Sequence, residues 1–466
     1  MKPVPYRLLL CASLALLPSW GRAVELDLPA RAGTFWRQPG ALPAAVAAAQ
    51  TDAVRFASLA ALTEHALRER TESRAAWFGI QAEAARLDAA AAANWPTLSG
   101  QFNFTQSRAL SSSGASVPAL HRYGPSLSLA YLLVDFGARA AGIDAQRYQL
   151  IASLLNNNRT LQDTVAEVEA AYFAVLAARA QEAAQAQQEA ALRASLDAVE
   201  VRLRGGLAAR ADQLRARAAL SEAQLARQTA GRDHAKAMAA LKRAAGIAQT
   251  QTLELDWETA LPDTLAAGTL LADLLQEAQR NRPDLQALQA AAASARAEAE
   301  RARAARWPSL SLAASSGRTF FLEDERTPST TYSVGLSLSV PLFDGGRLAA
   351  QARAAERDAE RLQAEADGQR SQVALSVTEA YHDVRHAQGR RDGVAVQFDS
   401  ASESARAAEA RYAAGVGSLL ELLTAQADLA RARQSAAQAD ADWLAAFSRL
   451  NHAVGRLPAA STANPP

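Results

Sequence analysis

Apolar and polar residues alternate with period two in four short stretches of the chain. In 98–107, Leu98, Phe102 and Phe104 alternate with Ser99, Gln101, Asn103 and Thr105. In 126–134, Leu127, Leu129, Tyr131 and Leu133 alternate with Ser126, Ser128 and Ala130. Leu310 and Leu312 alternate with Ser309 and Ser311, and Val334, Leu336, Leu338 and Val340 with Ser333, Gly335, Ser337 and Ser339. Period two puts one residue set on each face of a strand. One face here is apolar, and the other carries small uncharged polar groups. A stretch of about 10 residues is the length a tilted strand needs to cross a bilayer. A soluble sheet packed on helices is the bland alternative. The uncharged polar face favours a wet lumen instead. Phe102, Phe104, Leu129, Tyr131, Leu336 and Leu338 are the candidate lipid-facing residues.

Elsewhere the period is helical. Leu161, Val165, Val168, Tyr172 and Val175 step by 4, 3, 4, 3, and Val377, Tyr381 and Val384 repeat that stripe. No proline stands between Gly137 and Pro262 or between Gly346 and Pro458. Those stretches are rich in Ala, Glu, Gln, Arg and Leu, all strong helix formers. The first long helix in each should run about 65 residues, on the order of 100 Å. The breaks should fall near Gly205-Gly206 and near Gly415 and Gly417. A narrow apolar stripe flanked by alanines suits coiled-coil packing.

The two patterns occur twice, in the same order. Val168, Ala171-Tyr172 and Val175 answer Val377, Ala380-Tyr381 and Val384. Asp135 and Gly137 answer Asp344 and Gly346 at the same offset of 209 residues, and so do Gly206 and Gly415. Trp95-Pro96-Thr97-Leu98 answers Trp307-Pro308-Ser309-Leu310 at an offset of 212. The chain is therefore one unit written twice, with a three-residue gap in the hairpin region. Each unit reads helix, strand, loop, strand, long helix, turn, long helix. The organisation expected is 24–54 as an irregular arm, 55–250 and 265–455 as the repeats, and 456–466 as a loose tail. The hairpin loops should lie at about 108–124 and 317–331, outside the cell. Asp135 and Asp344 read as helix N-caps.

The N-terminus adds a compartment. Lys2 and Arg7 precede the apolar Leu8–Leu17, and Gly21-Arg22-Ala23 offers a cleavage site, so 1–23 reads as a secretory signal with Val24 the mature start. The only cysteine, Cys11, lies inside it, so disulfides and cysteine chemistry are excluded from the mature chain. The net charge of +1 gives no electrostatic case for nucleic acid. No apolar run after the signal is long enough for a membrane helix. Four strands cannot close a barrel, and a membrane strand cannot leave an edge unpaired. Copies of the chain must pool strands: eight in a dimer, twelve in a trimer. Glu379, His382 and His386 lie about a turn apart and could share a metal, although a solvated helix face is the commoner explanation. There is no nucleophile elbow, zinc-protease motif or phosphate loop, so neither an enzyme nor a cofactor is expected. A periplasmic coiled-coil adaptor or scaffold without membrane strands is the alternative.

Signal, repeat, hairpins and long helices together resemble the TolC family of outer-membrane efflux proteins. The most specific segment is 411–426, from Arg411-Tyr412 through Gly415-Val416-Gly417 to Gln426, which looks like the family's turn between paired long helices. Val340-Pro341-Leu342-Phe343-Asp344-Gly345-Gly346 looks like its strand-to-helix junction. The resemblance implies a homotrimer in outer-membrane lipid, mainly α with membrane β: a 12-stranded barrel continued by a helical tunnel into the periplasm. It implies a passive duct for efflux or type I secretion. Its expected partners are a periplasmic adaptor at the helix tips and an inner-membrane RND or ABC transporter. Gly206 and Leu207, with Gly415, Val416 and Gly417, stand at those tips. Glu421 occupies the first acidic position of the family's tunnel constriction, Thr424 stands where some members carry a second acid, and Asp212 is the first-unit counterpart of Glu421.

Overall fold

The computed structural model describes residues 53–108, 119–255, 270–322 and 327–456. The signal 1–23 with Cys11, nearly all of the arm 24–54, and all of the tail but Arg456 lie outside the described residues. Among those described, each repeat begins with two helices rather than one. Helices α1 (Leu59–Glu69) and α2 (Thr71–Ala91) answer α5 (Leu271–Asn281) and α6 (Pro283–Ala304). The breaks fall at Arg70 and Arg282, both in extended backbone. Pro283 forces the second break, because a residue before proline is pushed out of the helical region. Arg282 is buried and closes the kink: it bonds both carboxylate oxygens of Asp284, Ser376 Oγ at 3.1 Å and the Ala453 carbonyl at 3.3 Å. Arg70, buried at the first break, reaches Glu72 and, at 2.6 Å, Glu167. Glu167 and Ser376 are themselves 209 positions apart, so the device repeats with the chain.

Strands follow: β2 (Thr97–Ser107) and β3 (Leu120–Val134) in the first repeat, β5 (Ser309–Phe321) and β6 (Ser329–Ser339) in the second. They form one antiparallel sheet in the order β2-β3-β5-β6. The strands reach further than the alternation indicated. Residues 120–124 and 317–321 are paired, not loop, because Gln106, Thr105 and Phe104 hold His121, Arg122 and Tyr123 in the ladder although no apolar alternation marks them. A small parallel pair, β1 (Val54–Phe56) with β4 (Leu253–Leu255), lies beside the helices.

The long helices α3 (Ala138–Arg204) and α7 (Arg347–Ala413) have 67 residues each, and α4 (Arg210–Ala244) and α8 (Leu419–Val454) return alongside them. Their start corrects the capping expectation. Gly137 and Gly346 hold the N-cap positions, two residues after the aspartates. Asp135 Oδ2 accepts from Arg139 N at 2.7 Å, and Asp344 Oδ2 from Leu348 N at 2.8 Å. The aspartates thus satisfy orphan helix donors from outside the cap. Those amide bonds, Leu348 N–H foremost, hold the Asp344 carboxyl below its usual range.

Alanine recurs at exact sevens on the buried seams: 425, 432, 439, 446 and 453 in α8, and 216, 223, 230, 237 and 244 in α4. In α7 the series is Ala352, Ala359, Ala366, Val373, Ala380 and Ala387. A strict seven-residue repeat imposes a left-handed supercoil, and alanine lets the helix axes approach closely. The bulky core sits at one level, where Leu62, Val168, Tyr172, Val175, Leu241, Leu274, Val377, Val384 and Trp443 pack together.

Candidate functional site

Two ends of the described chain carry chemistry of position rather than of reaction. The first is the sheet. Directly paired residues of neighbouring strands share a face. Leu98 faces Leu129, Ala314 and Val334 in one row, and Tyr131 faces Leu312 and Leu336 in another. Phe102 and Phe104 pair with Pro125 and Tyr123 on this same face, and Leu338 pairs with Leu310. All six residues expected to face lipid therefore share one side. The opposite side carries mostly small and uncharged polar residues, with Ala130, Leu132 and Ala313 among them. Ser99, Ser128, Ser315 and Ser333 form a row across all four strands, with Oγ–Oγ contacts of 2.7 Å (Ser99–Ser128) and 2.8 Å (Ser315–Ser333). Among the described residues, β2 and β6 have a neighbour on one side only.

Below the sheet, Phe136 stacks on Trp307 with ring centroids 5.8 Å apart, while Trp95 and the pair Leu342 and Phe343 are exposed. Aromatic residues at the end of an apolar strand band are the usual interfacial arrangement.

The second end is the pair of helix tips. Gly206 and Gly415 have φ of +75° and +78°, a conformation that a Cβ would strain, so glycine closes each turn. Leu207 N donates to Arg202 O and Val416 N to Arg411 O, and Gly206 N and Gly415 N donate to Leu203 O and Tyr412 O. This six-to-one, five-to-two closure normally brings its last apolar residue back onto the helix. Ile247 does so at the far end of α4, where it is buried. Leu207 and Val416 do not: they are 82% and 72% exposed. Gly417 lies 3.0 Å, by its missing Cβ, from Arg411 Cβ, so the second tip has no room for a side chain there.

Arg202 ties the tips together. Its guanidinium donates to the Tyr412 carbonyl at 2.6 Å and the Ala413 carbonyl at 3.0 Å, and lies 4.3 Å from the Tyr412 ring centroid. Sequence reasoning missed this contact, although Arg202 and Arg411 had marked the repeat. Just past the tips, Glu421 N donates to Ser418 Oγ at 3.1 Å, and the Glu421 carboxylate is 3.5 Å from Arg411 Nε. Asp212, at the equivalent position of α4, accepts from Ala209 N at 3.4 Å and meets Arg215. Glu379, His382 and His386 are not gathered into a ligand set among the described residues.

A four-stranded amphipathic sheet set on paired helices of this length defines an envelope channel, with a strand barrel above and a helical tunnel below. The chain belongs to the outer membrane efflux protein family, whose model matches residues 62–247 and 274–456. CyaE of Bordetella pertussis is 30% identical over 376 residues, covering 78% of this chain and 76% of its own. The alkaline protease secretion protein AprF of Pseudomonas aeruginosa is 29% identical, covering 72% and 70%. A membrane protein from Pseudomonas aeruginosa of known structure superposes with a TM-score of 0.77 at 25% identity, covering 85% of this chain and 93% of that one. The family consists of outer-membrane channels, not enzymes, and the chain is an outer-membrane component of efflux or secretion machinery.

Proposed function

We propose that three copies of this chain assemble a 12-stranded barrel and a periplasm-crossing tunnel through which an inner-membrane RND or ABC transporter discharges its cargo. The observation that carries this is the sheet: one face apolar across Leu98, Phe102, Leu129, Tyr131, Leu312, Leu336 and Leu338, one serine-lined face, and an open edge on each side among the described residues. In hydrocarbon an unpaired strand edge costs several kcal/mol per group, so the sheet must close on other copies. Phe102, Phe104, Leu129, Tyr131, Leu336 and Leu338 then meet lipid, and the serine row lines water.

The exposed Leu207 and Val416, with Gly206, Gly415 and Gly417, offer apolar knobs on rigid turns to a periplasmic adaptor. Glu421 stands one helical turn past the second tip, where three copies would ring the tunnel with carboxylates and favour cations. Asp212, the equivalent acid at the start of α4, would add to that ring, although it is engaged by Ala209 N and Arg215. Repeats 55–250 and 265–455 each supply one hairpin and one helix pair, after removal of 1–23.

The test is detergent extraction from the outer-membrane fraction followed by sizing and bilayer recording. A heat-modifiable trimer that gives discrete conductance steps is expected. A monomer soluble without detergent would overturn the channel.

A further inference from the structure

The apolar face of the sheet is interrupted at one level by a cation. Alternate residues of β5 share that face: Leu310, Leu312, Ala314, Ser316, Arg318 and Phe320. Arg318 is exposed there and paired with Thr330 of β6. No aspartate or glutamate occurs in β2, β3, β5 or β6. Among the described residues, the contact of the Arg318 guanidinium is with an aromatic face, 5.3 Å from the Phe320 ring centroid. Phe320 stacks on Tyr123 at 5.4 Å, and Tyr123 meets Phe102 at 6.4 Å, so an aromatic band crosses three strands at the level of the cation. The backbone places Arg318 as well. The β3–β5 ladder passes from Tyr123↔Phe320 to Ser126↔Gly317 without pairing Gly124 or Pro125. Proline has no N–H to give, and a Cβ at Gly124 would overlap the Arg318 carbonyl oxygen. The strand carrying Arg318 leans into the space that glycine leaves. Arg122, the other arginine of these strands, lies on the serine face, where it donates to Ser107 Oγ at 3.4 Å.

Counting along the strand sets the level. Arg318 stands 11 residues beyond Trp307, whose ring stacks on Phe136 at the helix side of the sheet. At ~3.4 Å per residue that is ~37 Å of strand, and a tilt of ~35–45° leaves a height of ~26–31 Å. The hydrocarbon core of a bilayer is about 30 Å thick. Arg318 therefore stands where the acyl chains end, on the side away from the helices. A lipid-facing arginine destabilises a barrel strongly at the midplane and little at that boundary. We propose that Arg318 binds the phosphate group of an anionic lipid in the outer leaflet, with its guanidinium laid on Phe320 and its free N–H groups turned to the phosphate oxygens. This rests on the channel reading above. A guanidinium presents parallel donors that match phosphate, and its weakly hydrated face suits an aromatic ring. Phe102, Tyr123 and the exposed Tyr332 flank it and cover the top of the acyl chain. With no acid on the strands, the charge of this face selects an anion. Glu323, Asp324 and Glu325 follow β5 in the sequence, outside the described residues; a carboxylate from that segment is the rival occupant.

The test measures retention of bisphosphorylated lipid A, against the same lipid stripped of its phosphates, by the full chain in detergent, read by native mass spectrometry. The parent should hold the phosphorylated form about tenfold more tightly, the scale of one charge-assisted contact. Arg318→Gln should bring the two forms to equal retention. Arg318→Lys, which keeps the charge and loses the fork, should keep part of the preference, and Arg122→Gln, on the other face, should keep all of it. Equal retention of both lipid forms by the parent overturns the site whatever the variants do, including a variant that fails to assemble. An undiminished preference in Arg318→Gln, the outcome if a loop carboxylate occupies Arg318, overturns the site and leaves the channel intact. An equal loss in Arg122→Gln overturns it in favour of diffuse charge. A parent chain that sizes as a monomer soluble without detergent overturns the channel, and the site with it.

Discussion

At the scale of single residues, what distinguishes this chain is a set of polar groups sunk between helices. Glu169 of α3 is bonded by the Ser448 hydroxyl of α8, and burial pushes its carboxyl above the ordinary value of 4.5, with Ser448 and the nearby His452 opposing. A carboxyl whose folded pKa is raised costs nothing while it is protonated in both states. It loses stability as pH rises through the folded pKa, because only the unfolded chain ionises freely. Glu169→Gln keeps the acceptor for Ser448 and removes the ionisation. The variant should match the parent near pH 4 and melt higher than the parent at pH 7.5, as thermal denaturation in detergent would show; equal melting at both pH values would mean that Glu169 is not desolvated. Glu72 behaves oppositely. The Arg70 bond holds its pKa at about 2, so its contribution is present above the ordinary value of 4.5 and fades as pH falls toward 2. Of these residues the sequence announced little. Pro283 was an available signal for one kink that the sequence reading did not use, Arg70-Thr71 carries no breaker at all, and a buried arginine reads as a surface one until its partners, 97 residues away for Glu167, are in place.

At the scale of elements, the long helices were legible and the strand ends were not. Proline-free alanine-rich stretches set both helix lengths almost to the residue, and glycines marked both turns. Alternation found the four strands, but His121, Arg122 and Gly124, or Gly317 and Arg318, break the apolar pattern. Their strand state is decided by partners on neighbouring strands, across the hairpin loop or in the other hairpin, which local pattern cannot supply. The two-helix start of each repeat was likewise hidden, since α1 and α2 are both ordinary helix formers on either side of one extended residue. The alanine sevens carry a prediction at this scale. Ala432 is fully buried in α8, so Ala432→Leu must push apart helices that alanine lets close. Overpacking of this kind costs about 1–3 kcal/mol. The variant should lose melting temperature, while Arg431→Ala one position away, on an exposed i,i+3 pair, should change it little.

At the scale of the whole molecule, the repeat was the most readable feature, because matched glycines, aspartates and tryptophans at two offsets need no structure to see. The candidate gate was readable only through resemblance: Glu421 is one of many helix-face acids, and its place near a tip acquires meaning once copies surround an axis. Glu421→Ala in reconstituted channels should lower cation-over-anion preference, on the order of twofold, or alter single-channel conductance. Reversal potentials and step sizes both equal to the parent's would remove Glu421 from the constriction.

A sheet with two open sides has a consequence for biogenesis. A lone chain would expose bare amides in hydrocarbon, so under the proposed three-fold closure membrane entry would follow the third power of chain concentration. A chain sound on one flank and spoiled on the other would still be recruited, and would strand its normal companions short of closure. Such a half-competent subunit, expressed beside the parent at equal dose, would inactivate far more than its own share of channels.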